Sequence, residues 1–150
     1  MYPYLAYCNS IWGCTKNNLL QRLIILQKRV VRIVTRSSYC SHGNPLFARL
    51  RLLRVSDIYK LQVVLFIFKF KYSLLPASCM NYLFVNSAPA YATRRNTYLV
   101  ELSFRTNIRE RSISVSGPRI WNRLSPDLQD SLSLGFLKQD FLNYMISLYV

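Results

Sequence analysis

Catalytic side chains are scarce in this 150-residue sequence. His42 is the single histidine, so a nucleophile–base pair or a histidine metal site would have to be built around it. The six acids, Asp57, Glu101, Glu110, Asp127, Asp130 and Asp140, include no adjacent pair, whereas two-metal phosphoryl chemistry needs clustered carboxylates. Asp127 and Asp130 come closest, and their place after Pro126 reads more simply as a helix start favoured by acids. Cys40-Ser41-His42 with Cys8 and Cys14 would make a zinc set on paper, but Cys-x5-Cys and Cys-x-His are not usual ligand spacings. The thiols are therefore expected to be free, with no metal and no other cofactor. No glycine-rich phosphate-binding loop occurs, and neither a small-molecule substrate nor an enzymatic activity is expected.

The chemistry that the residue types do support is the binding of polyanions. The chain carries 20 Lys and Arg against 6 Asp and Glu, a net charge of +14 and a pI near 10.1. Hydrophobic residues make up 51%, which excludes an ordinary disordered basic tail. Arg outnumbers Lys by 14 to 6, and the planar guanidinium fork suits phosphate while its face stacks on bases. Arg22, Arg29, Arg32 and Arg36 recur on one side of a helix, with Lys28 at its edge. Arg49, Arg51 and Arg54 follow, and Lys69, Lys71, Arg94 and Arg95 extend the row. A solvated helix face is the plainer explanation of such a row. Solvated faces are usually mixed in sign, however, and residues 1–80 hold 12 basic groups against one acid. The expected partner is the backbone of RNA or DNA. Tyr39, Phe47 and Tyr91 are candidates to stack on bases. A basic amphipathic protein of the membrane surface is the alternative.

Behind those residues the spacing predicts a helix over 17–35. Its apolar arc is Leu19, Leu20, Leu23, Ile24, Leu26, Val30, Val31, Ile33 and Val34, expected to be core, with the arginines opposite. Residues 37–45 read as a loop and Leu46–Arg54 as a short basic amphipathic stretch. Ser56 or Asp57 would cap a second long helix ending before Pro76, although its run Val63–Phe68 suits a buried strand equally well. That run of six is the longest apolar one, against about 20 residues for a membrane span. Residues 86–96 read as a linker. Alternation predicts short strands over 98–104 and 112–116, Gly117-Pro118 a break, and 119–124 a turn of helix. A last helix begins at Leu134 or Phe136, with Phe136, Phe141, Tyr144, Met145 and Leu148 as its apolar side. The expected fold is mainly α: a basic amphipathic helical lobe over 1–85, then a small mixed α+β lobe over 97–150. The N-terminus lacks the pattern of a signal peptide. With irregularly spaced cysteines this points to reduced thiols and an intracellular site, nuclear or cytoplasmic.

Three stretches together carry a resemblance. The first is Tyr2-Pro3-Tyr4-Leu5-Ala6-Tyr7-Cys8, Ile11-Trp12-Gly13, then Leu23 and Leu26-Gln27-Lys28-Arg29 to Arg32-Ile33. The second is Pro45-Leu46-Phe47, Leu50 to Leu53 and Asp57-Ile58, leading to Phe68-Lys69 and Leu75-Pro76. The third is Thr93-Arg94, Ser116-Gly117-Pro118-Arg119-Ile120-Trp121-Asn122-Arg123-Leu124-Ser125-Pro126 and Phe136-Leu137-Lys138. In this order, nearly end to end, the chain resembles the region after the reverse transcriptase domain in non-LTR retrotransposons of the LINE type, the jockey-like group especially. The resemblance implies a thumb-side, C-terminal part that helps to grip template RNA and target DNA. It makes Leu26-Gln27-Lys28-Arg29 through Arg32 the nucleic-acid-facing helix. The family's polymerase turn, an aromatic-Ala-Asp-Asp motif, does not occur in the sequence. A truncated, non-catalytic copy is expected, with RNA-directed DNA polymerase as the parent activity. A pseudogene product without function remains the rival on that side.

Overall fold

The computed structural model describes residues 2–80 and 99–150. Ten helices lie along them. The first half runs α1 (Tyr2–Ala6), α2 (Asn9–Trp12), α3 (Asn17–Val34), α4 (Gly43–Arg49), α5 (Val55–Lys71) and α6 (Ala77–Met80). The second half runs α7 (Asn107–Glu110), α8 (Ile113–Asn122), α9 (Pro126–Gln129) and α10 (Leu134–Ser147). The described residues contain no strand, so the fold is mainly helical and the expected α+β character of the C-terminal part is corrected. The linker over 86–96, with Tyr91, Arg94 and Arg95, lies outside the described residues.

α5 is the centre. Val55, Ile58, Leu61, Val63, Val64, Ile67, Phe68 and Phe70 are all buried, which places apolar side chains around nearly its whole circumference. A helix with that pattern can exist only if other elements cover every side. α8 and α10 pack on it from the C-terminal half, and α1, α2 and α3 from the N-terminal half. The β-branched run Val63–Phe68 is therefore helix, because enclosure by five neighbours outweighs a β propensity worth at most about 1 kcal/mol. Asp57 in its first turn and Lys69 and Lys71 in its last complement the helix dipole. The helix begins at Val55 with Arg54 as the capping position, slightly ahead of the expected Ser56 or Asp57. α2 seats closely: a Cβ on Gly13 would lie 2.5 Å from the Asn9 carbonyl oxygen and 2.9 Å from the Tyr59 ring.

The second half differs from expectation in specific ways. Residues 112–118 are not a strand followed by a break. Ser112 caps α8, its Oγ accepting from the Ser114 N–H at 3.4 Å, and Pro118 lies inside the helix. Val115, Pro118 and Trp121 are buried at spacings of three, so burial of a helical face prevails over the period-two pattern of serines. Residues 99–104 have no regular structure. The Asn122 amide holds that segment, accepting from the Leu99 N–H at 3.0 Å and donating to the Leu99 carbonyl at 2.9 Å. In α10 the buried side is Leu137, Phe141 and Met145, while Phe136, Tyr144 and Leu148 face solvent. Buried side chains from both sides of the 86–96 segment, among them Leu5, Val31, Phe47, Leu61, Trp121 and Phe141, belong to one apolar cluster.

Two polar groups tie the outer helices to α5. Gln27 of α3 is buried, its amide nitrogen donating to the Leu53 carbonyl at 2.8 Å and its oxygen accepting from the Val55 N–H at 3.1 Å. Tyr149, just beyond α10, donates its hydroxyl to Asp57 at 2.5 Å and accepts from the Arg54 N–H at 3.3 Å. Burial, then the hydrogen bond to Asp57, raises the Tyr149 pKa well above its ordinary value. Among the described residues no helix is long and apolar enough to cross a membrane.

Candidate nucleic-acid interface

α3 does not bury the whole of its apolar arc. Leu20, Gln27 and Val31 are buried and Leu23 and Ile24 half-buried, whereas Leu19, Leu26, Val30, Ile33 and Val34 face solvent. The arc spans about half the helix circumference, and the body of the molecule lies on one side of α3 only. The expectation that all nine positions are core is corrected, and so is the outward-facing role of Gln27.

The arginine row is on the surface, and it converges at the C-terminal end of α3. Three helices close with the same turn, and none uses glycine for it. Arg36 after α3, Arg51 after α4 and Ser73 after α5 have φ of 51°, 50° and 55°. After α3 the Arg36 N–H donates to the Ile33 carbonyl at 3.1 Å and the Ser37 N–H to the Arg32 carbonyl at 3.0 Å, a Schellman turn. The turn folds residues 37–42 back along the helix. Arg32 fixes the returning chain, its Nε and Nη2 both donating to the Ser41 carbonyl at 3.2 and 3.0 Å. Its guanidinium carbon stands 5.7 Å from the centre of the Tyr39 ring. The Lys28 stem supports the same loop, because a Cβ on Gly43 would lie 3.7 Å from its Cγ.

The result is an open depression of about 410 Å³ lined by Arg29, Arg32, Ile33, Arg36, Ser37 and Tyr39. Arg29 and Arg36 are exposed, and Tyr39 is 72% exposed. Arg32 uses two of its five N–H groups on Ser41, so three remain for a ligand. Ion pairs among the described residues lie elsewhere: Lys60 with Asp57, Lys71 with Asp130, and Arg119 with Glu101 and Glu110. Among the described residues no carboxylate pairs with the α3 arginines. Such a site presents guanidinium groups, whose planar forks suit phosphate oxygens, beside an exposed aromatic face.

The other basic residues separate into distinct roles. Arg22 is exposed on α3, two turns before Arg29, and Arg49 is exposed on α4. Arg51 donates to the Asn143 side chain of α10, and Arg54 is half-buried with its guanidinium 4.3 Å from the Tyr149 ring centre. These two arginines hold α10 against the α4–α5 corner, away from the depression. Phe47 is buried edge-on to Tyr149 and is not available for stacking. Cys8 and Cys40 are exposed and Cys14 half-buried, all as free thiols. Among the described residues no three His, Cys, Asp or Glu side chains cluster to hold a metal. Ser37 and Ser41, which shape the depression, carry no sequence signal, because the turn that brings them back lacks the glycine that normally marks it. No protein-family model, curated protein or solved structure matches this chain.

Proposed function

We propose that this chain is a non-catalytic nucleic-acid-binding remnant of a non-LTR retrotransposon reverse transcriptase, and that it grips the sugar-phosphate backbone with the C-terminal half of α3. The observation that carries the binding role is the depression where Arg29, Arg32 and Arg36 meet the exposed Tyr39 and, among the described residues, pair with no acid. Arg32 is pre-oriented by Ser41, so less freedom is lost when its remaining donors meet phosphate. Tyr39 offers a stacking face, which favours a single strand whose bases are free to turn outward. Phosphate contacts and stacking are indifferent to sequence, so the chain binds unrelated single strands with similar affinity. The retrotransposon origin rests on the ordered motifs of the sequence alone.

The test is binding of a single-stranded RNA across a salt series. Arg29→Gln with Arg32→Gln should lower the slope of log affinity against log salt by about 0.7 per lost contact. An unchanged slope with a lowered melting temperature would defeat the assignment, because it would make the arginines supports of the fold.

A further inference from the structure

The solvent-facing side of α3 has a regularity that phosphate binding does not use. Leu19, Leu23, Leu26, Val30 and Ile33 follow one another at alternating steps of four and three, the spacing of a coiled-coil seam. Four of the five are open to water, with Leu19 72%, Leu26 52% and Ile33 75% exposed. Along one flank Arg22 and Arg29 stand seven residues apart, and Arg36 follows seven further on in the closing turn. The other flank begins with Leu20 and Gln27, which are buried against the rest of the molecule. A helix lying on this seam would thus meet aliphatic side chains along its centre and arginines along its one open edge.

We propose that α3 is the docking seam for an acidic amphipathic helix of a second protein, with aliphatic residues at its a and d positions and Glu facing the arginines. Charge selects this occupant. A second copy of the chain laid antiparallel sets arginine row against arginine row, and like charges at flanking positions oppose pairing. A copy laid parallel points its arginines at Leu20 and Gln27, where the fold already sits. An anionic lipid surface satisfies arginines but has no use for a heptad step, and the basic residues line only one edge of the seam. The proposal does not depend on nucleic-acid binding. It shares Arg29 and Arg36 with that site, so the acidic helix and a nucleic acid exclude one another.

The full chain is tested against labelled synthetic peptides of about three heptads. One has Leu and Ile at a and d with Glu at both flanks, which keeps it from pairing with itself. The second replaces every Glu by Lys, and the third keeps Glu but has Ser at a and d. Vesicles of phosphatidylserine in phosphatidylcholine form a fourth arm. The first peptide should bind at least about tenfold tighter than the second and third. Leu19→Ser with Leu26→Ser should abolish that tenfold advantage while circular dichroism and RNA binding stay unchanged, since neither residue lines the depression. Arg22→Glu with Arg29→Glu should shift preference to the Lys peptide. Equal binding of the Ser peptide would overturn the seam, as would vesicle capture without peptide binding. A dimer of the chain lost on Leu26→Ser would overturn it too, assigning the face to self-association. Absence of RNA binding in the unaltered chain leaves the peptide readout intact, so the two proposals fail separately.

Discussion

α3 and α5 are of nearly equal length, 18 and 17 residues, and their environments are opposite to what periodicity suggests. α3 has the sharply divided faces of a helix that buries one side, yet half of its apolar arc stands in water. α5 has apolar residues almost all round, so no single face stands out, and among the described elements it is the most enclosed. The difference teaches that amphipathic spacing reports how wide an apolar arc is and not what covers it. Enclosure is read better from the absence of a polar side.

The strongest way to break the contrast is to truncate one apolar residue in each helix. Leu61→Ala in α5 should cost about 2–5 kcal/mol, measured by urea unfolding, since Leu61 is fully buried. Leu26→Ala in α3 should stay within about 0.5 kcal/mol. Equal costs would show that α3 is covered after all.

Gln27 joins the two helices and sharpens the comparison. Gln27→Ala leaves the Leu53 carbonyl and the Val55 N–H unpaired in a buried place, a loss of about 1–3 kcal/mol in the same assay.

Tyr149→Phe tests the same N-terminal end of α5 from the side of α10. Removing the hydroxyl should cost about 1–2 kcal/mol near neutral pH. The folded Tyr149 pKa is raised, so its contribution is fully present below the unfolded value near 10 and is lost as pH climbs above it. Wild-type stability should therefore decline above about pH 10 more steeply than that of the variant, as followed by alkaline melting curves.

The smallest effect is one of opposite sign. Arg36 holds a left-handed conformation that glycine adopts freely. Arg36→Gly should stabilise the chain by about 0.5–1 kcal/mol while reducing the salt slope of RNA binding by about 0.7. A variant that is both more stable and binds as before would remove Arg36 from the interface.

The sequence makes three long helices legible, those at α3, α5 and α10, because each repeats apolar residues over three turns or more. It does not reveal which half of the α3 arc is buried, since both halves are aliphatic. The buried Gln27 is the only polar residue within the arc, and it marks the packed half through a partner backbone 26 residues away. α8 is misread as a strand because five alternating residues fit period two as well as a helix, and Val115, Pro118 and Trp121 declare their shared face only against α5. In the candidate site the arginine row and Tyr39 are legible as residue types. The diversion of Arg51 and Arg54 to Asn143 and Tyr149 is not, because those partners lie more than 90 residues along the chain.

The enclosure of α5 also has a consequence in time. The two helices that cover it most extensively, α8 and α10, are made long after it. Chain synthesis proceeds at about 5–20 residues per second, so several seconds pass between the emergence of α5 and that of α10. During that interval Val63, Val64, Ile67 and Phe68 have only the N-terminal helices for shelter. A nascent chain in this state exposes apolar surface of the kind that makes folding intermediates prone to aggregate. Its window for aggregation closes only when α10 docks and the Tyr149 hydroxyl reaches Asp57, 92 residues behind it.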